Sequence, residues 1–147
     1  MLIGMDPRMT PPLMDALMRT GHGDEIVLAE ADFPADSAAA GCRVAEPVQL
    51  PGFSSPEAID LVTTYMPLDG FAEACAWRME IDGAPEETGA VHDEALAILA
   101  ARQPEGATPG SIARPDFHPR AGRAFAVVAT TETRPCGCFI LKKGAVL

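Results

Sequence analysis

The sequence predicts an α/β fold: a three-layer α/β/α single domain over residues 1–147, with a central, largely parallel or mixed sheet. Three observations carry that prediction. Short apolar, β-branched segments alternate along the chain with longer segments that show helix start signals and helical spacing, the order expected of helices layered on a sheet. The first apolar segment, within "EIVLAEA", is an unbroken run, as a strand covered on both faces requires. With 147 residues and 48% apolar content, the chain can bury one sizeable core, and a second domain is not expected.

Each element follows from local signals. Pro11 to Thr20 places Leu13, Met14, Leu17 and Met18 at helical spacing, with Thr10 as N-cap and Gly21 as the stop. "EIVLAEA" is then the buried strand. In "FSSPEAIDLVTTYMP", Glu57 stands three residues after Ser54 and Pro56 sits near the first helical position; Pro67 closes this second helix. "ACAWRMEI" alternates well enough for a strand. "EETGAVHDEALAILAARQ" carries Val91, Ala95, Leu96, Ile98 and Leu99 on an apolar side, acids early and Arg102 late, which complements the helix dipole. "QPEGATPGS" has the composition of a surface loop. Near the end, "RAFAVVATT" and "CFILKK" predict two strands parted by the turn-rich "ETRPCG". No internal repeat interrupts the pattern.

Charge and composition narrow the function. A formal net charge of −10 disfavours nucleic acid and anionic membrane surfaces, because both are bound chiefly by neutralising phosphates with Lys and Arg. No window reaches the length of a spanning helix, and "MLIGMDPRM" lacks the basic, apolar and small-residue order of a secretory leader, so the expected compartment is the cytoplasm. Four cysteines in a chain of this size are expected as reduced thiols.

One stretch, "RTGHGDEIVLAEADFP", concentrates the candidate chemistry. His22 stands between two glycines at the mouth of a buried strand, where a ligand can approach closely; the alternative is an imidazole that caps the preceding helix. Glu30 and Asp32 sit two apart at the far end of that strand, where alternation sends both to one face. They either bind a ligand or accept turn hydrogen bonds ahead of Pro34. Cys136-Gly137-Cys138 reads as ordinary thiols, since a lone C-x-C has no second ligand pair; a redox or metal pair is the lesser alternative. His92 is expected to be solvated. Trp77 is expected in core or subunit packing, with an aromatic platform for a ligand as the minor alternative.

"GHGDEIVLAEADFP" near the start and "RAFAVVATTETRPCGCFILKKG" at the end resemble the two signature segments of the L-fucose mutarotase and D-ribose pyranase family, and "LDGF" extends the match through the middle. The resemblance covers essentially the whole chain. It implies a cofactor-free and metal-free α/β domain in the cytoplasm, assembled into a homo-oligomeric ring, usually a decamer, with monosaccharide sites near subunit boundaries. The implied reaction interconverts anomers or ring forms of a free sugar. It further implies that His22 is the proton donor, that Glu30 stands where the family binds sugar hydroxyls through aspartate, and that Arg114 is the family's sugar-facing arginine. Asp32 replaces the His or Asn of fucose-type members, and Cys136-Gly137-Cys138 replaces a sugar-facing Tyr-x-Asn. His118 stands where the family often has Tyr, and is either a pocket residue or an exposed loop residue. A non-catalytic sugar-binding or regulatory protein is the alternative reading.

Overall fold

The computed structural model describes residues 1–147. In chain order the elements are α1 (Pro11–Arg19), β1 (Glu25–Ala29), α2 (Ala35–Ala39), β2 (Val48–Leu50), α3 (Ser55–Tyr65), β3 (Ala76–Met79), α4 (Ala90–Arg102), β4 (Gly110–Ile112), α5 (Arg114–Ala121), β5 (Ala126–Thr130) and β6 (Phe139–Lys142). The six strands form one sheet in the order β2-β5-β1-β6-β3-β4. All are parallel except β6, which runs against both of its neighbours, β1 and β3. The sheet is therefore mixed and largely parallel. No helix is long and apolar enough to cross a membrane.

Two apolar clusters make the three layers. Ile26 and Leu28 of β1 face the larger cluster, built with Leu13 and Leu17 of α1, Ile59 and Val62 of α3, and Ala95 and Leu99 of α4. Val27 and Ala29 face the smaller one, with Ala39 of α2 and Phe117 and Ala121 of α5. The unbroken apolar run of β1 thus serves two cores at once. Truncating Leu28 to alanine removes buried methyl groups that cannot be replaced by water, at a cost of about 2–5 kcal/mol.

The predicted caps hold. The Thr10 hydroxyl accepts from the Leu13 N–H, and Ser54 and Glu57 form a full capping box at the start of α3. Gly21 is not the stop of α1: the chain leaves the helix at an extended Thr20, whose hydroxyl donates to the Leu17 carbonyl at 2.7 Å. Glycine's left-handed freedom is used instead at Gly23, where φ is +89°. Glu30 and Asp32 lie beyond β1, in a turn, so strand alternation does not place them. The last residues of the expected "QPEGATPGS" loop, Gly110 and Ser111, open strand β4. A Cβ on Gly110 would collide with the Trp77 indole, whose other notable neighbour is the Arg120 guanidinium 3.9 Å from the ring centre. Trp77 is packing on the sheet, away from the cavity described below. His92 is fully buried, not solvated.

Candidate active site

The five parallel strands all end at one rim of the sheet, where open α/β sheets bind ligands. A cavity of about 310 Å³ opens there, at the small end of the range for small-molecule sites. The turn after β1 supplies Glu30, Asp32 and Phe33; Met79 ends β3; Arg114 and His118 project from α5; Thr133, Pro135 and Cys136 come from the β5–β6 connection. Four residues expected from the sequence, Glu30, Asp32, Arg114 and Cys136, therefore share one cavity, and His118 lines it with them. A larger hollow of about 490 Å³ at the N-terminal end is lined mainly by methionine and proline and has no side chain suited to acid–base work.

Each cavity residue is fixed by its local chain. The Glu30 carboxylate accepts from the Asp32 N–H at 2.7 Å, closing the turn, so the turn-forming role and a place in the cavity coexist in one residue. The Glu30 N–H donates to the Cys138 sulfur at 3.4 Å. Cys138 is fully buried, and burial pushes its thiol up to about 12, so it stays neutral. The Gly137 carbonyl accepts from the Ser55 hydroxyl at 2.5 Å, and a Cβ at residue 137 would press on Glu132 and the Arg134 carbonyl. Gly137 and Cys138 hence stand behind the cavity, and Cys136 alone of the three forms its wall. Arg114 pairs with Asp82, both side chains more than half exposed, a pairing that water weakens and that leaves the guanidinium available. The His118 ring lies against Phe33 at 4.9 Å between centres, and Phe33 is itself braced edge-on by Phe117.

The β5–β6 connection is anchored by a buried acid. Glu132 is 4% exposed and accepts from Arg134 side-chain and backbone N–H groups and from the Ser55 N–H. The Arg134 guanidinium is the largest influence, and together these donors hold the carboxyl down at about 2. Arg134 also reaches Glu94 of α4 at 2.9 Å, so the connection is tied to that helix.

His22 stands at the opposite rim. The five residues of β1, roughly 17 Å of strand, separate its end of the sheet from the cavity. The structure does not bring His22 to Glu30 within one chain, and the imidazole does not cap α1. Its Nε2 lies 3.2 Å from Asp69 Oδ1. Asp69 is 2% exposed, and its carboxyl is held below the usual carboxylate range by the Phe71 N–H first, then by His22 and Lys142. An ionised carboxylate can only accept, so Nε2 donates, and in the neutral ring Nδ1 is left as an open acceptor. The Phe71 ring, largely exposed, sits 5.3 Å from the imidazole. Asp69 was not a sequence candidate: "LDGF" carries the acid, but no spacing ties it to a histidine 47 residues earlier.

No three His, Cys, Asp or Glu side chains converge in a metal-holding arrangement. The RbsD / FucU transport protein family matches residues 3–146. The human protein named fucose mutarotase is 39% identical over 148 residues, covering 99% of this chain and 94% of its own length. The Haemophilus influenzae L-fucose mutarotase (strain 86-028NP) is 33% identical, covering 98% and 96%. Among solved structures, the Streptococcus pneumoniae fucose mutarotase in complex with L-fucose superposes with a TM-score of 0.86 at 30% identity, covering 99% of this chain and all of that one. An end-to-end match of sequence and fold leaves one assignment: the chain belongs to the RbsD / FucU family.

Proposed function

We propose that this protein is a cofactor-free isomerase, a mutarotase or pyranase that interconverts anomers or ring forms of an L-fucose-like or D-ribose-like free monosaccharide. The observation that carries the reading is the cavity itself: two carboxylates, a guanidinium and an imidazole converge on a space suited to one sugar, in a chain whose relatives are named fucose mutarotases. Arg114 donates to sugar oxygens, and Glu30 and Asp32 accept from sugar hydroxyls. The Cys136 wall and the backbone behind it complete the fit. Ring opening needs an acid that protonates the ring oxygen as its bond to the anomeric carbon breaks. It also needs a base that takes the anomeric hydroxyl proton as the carbonyl forms. Closure on the other carbonyl face reverses both transfers. Imidazoles exchange protons in the neutral range and suit both roles.

The second imidazole comes from a neighbouring copy. His22, oriented by Asp69, lines none of the chain's main cavities, and its end of the molecule exposes Met18 and Phe71 together with the apolar termini. A head-to-tail contact would set that end against the next subunit's cavity, and repetition closes a ring, here read as ten subunits in the cytoplasm. Saturation-transfer NMR across fucose, ribose, rhamnose and galactose tests the activity directly, because it reads exchange between anomers. Enzyme-dependent exchange of at least one sugar is expected. Calorimetric binding without exchange would instead indicate a sugar-binding module.

A further inference from the structure

His92 is the third residue of α4 and fully buried, yet it takes no part in the acid–base chemistry. Its Nδ1 accepts from the Gly89 N–H at 3.1 Å, filling the reach-back position that Glu or Gln takes in a capping box. Accepting there fixes the neutral tautomer with its proton on Nε2, and Nε2–H donates to the Cys136 carbonyl at 2.9 Å. The helix needs only the first bond. The second crosses 44 residues to the cavity wall. Cys136 is the one non-glycine residue of the chain with a positive φ, +59°, a conformation that a residue bearing a Cβ keeps only where its surroundings hold it.

We infer that His92 is a positioning residue of the sugar site: by clamping the Cys136 carbonyl to the start of α4, it holds residue 136 in the left-handed conformation that shapes the cavity wall. The inference rests on the cavity being the sugar site, as proposed above. The Phe139 ring, edge-on at 6.0 Å, fixes the imidazole plane. Burial holds the imidazole below its ordinary range, in the neutral form that both bonds use. Of the charges around it, Arg78 on β3 opposes protonation and Asp93 on α4 favours it. The Arg78 guanidinium donates to the Pro85 carbonyl through Nη2, while Nη1 is buried without a partner.

Three substitutions separate the clamp from the cap. His92→Asn places an oxygen where Nδ1 accepts but no donor within reach of Cys136; His92→Gln extends an amide to Cys136; His92→Phe fills the ring's space with neither bond. Two readouts are taken on folded protein: iodoacetamide labelling of Cys136 relative to Cys42, by peptide mass spectrometry, and KM and kcat for sugar exchange. In the Asn and Phe variants, Cys136 labelling should accelerate at least about threefold and KM should rise about three- to tenfold, with kcat within about twofold. The Gln variant should stay near the wild type. Unchanged labelling and KM in both the Asn and Phe variants, or equal shifts in all three, would overturn the inference. If the wild type exchanges no sugar, the functional reading fails by itself, and the labelling ratio still decides the clamp.

Discussion

The two ends of β1 are built differently. Beyond its C-terminal end the chain makes a concave site, with Glu30 hung on a buried thiol and the β5–β6 connection locked by Glu132 and Ser55. Before its N-terminal end the chain presents a half-exposed imidazole, one buried carboxylate behind it and apolar side chains around it. One end is a cavity lined by hydrogen-bonding side chains. The other carries an imidazole that stands outside that cavity. The difference teaches how the proposed function divides the work: each end of the strand would supply half of a site, and buried β1 holds the two halves apart within one chain.

The largest effect should come from the proton-exchanging end. His22→Ala is expected to lower anomer exchange at least about tenfold, within the ~10²–10⁴-fold range of a positioned acid or base, while the fold is retained. Unchanged exchange in the folded variant would remove His22 from the mechanism. The sharpest test of the division into halves is complementation. His22→Ala and Glu30→Gln subunits co-expressed in equal amounts should regain about a quarter of wild-type sites, those pairing an intact cavity with an intact neighbouring imidazole. Activity no greater than the sum of the two separate variants would refute a shared site.

A smaller difference is one of acid stability. Glu132 titrates at about 2 in the folded chain against 4.5 ordinarily, so the unfolded state binds the proton first. Its contribution, about 3 kcal/mol at most, is complete above pH 4.5 and is lost as pH falls through that value toward 2. Urea midpoints measured from pH 7 to pH 3 should fall less steeply in Glu132→Gln, from a lower starting stability; parallel curves would show that the carboxylate is not the acid-sensitive brace of the cavity end. The smallest effect is expected for Cys136→Ser with Cys138→Ser. The two sulfurs offer packing and, at Cys138, a weak acceptor for the Glu30 N–H, so exchange of the true substrate should persist within about threefold. Abolished activity in a folded double variant would give the sulfurs a chemical role.

How much of this could be read from the sequence depended on range. β1, α1, α3 and α4 announce themselves because caps and apolar periodicity act over a few residues, and Thr10, Ser54 and Glu57 do what their types predict. β2 and β4 have three residues each and α2 has five, too few to show a period. α5 was hidden by Pro115 and Pro119, the first tolerated in an opening turn and the second accommodated in a helix of eight residues. Glu30 and Asp32 stand out by their place after the strand and Cys136 by its C-x-C spacing, but their grouping with Arg114 as a sugar site comes from the resemblance, and the cavity gives that grouping a geometry. Asp69 and His92 were not legible, because each acts on a partner more than 40 residues away. The capping signal at His92 also escaped because imidazole stands in for the usual glutamate.

β1 is hydrogen-bonded along both edges and covered on both faces. In a ring of shared sites, this strand would be the link between one active site and the next. Communication between sites requires an element with two alternative arrangements, and a strand zipped on four sides has one. The ring would then behave as a set of isolated reactors: a sugar entering one cavity leaves the imidazole at the strand's far end where it was, and titration of all sites should give a Hill coefficient of about one.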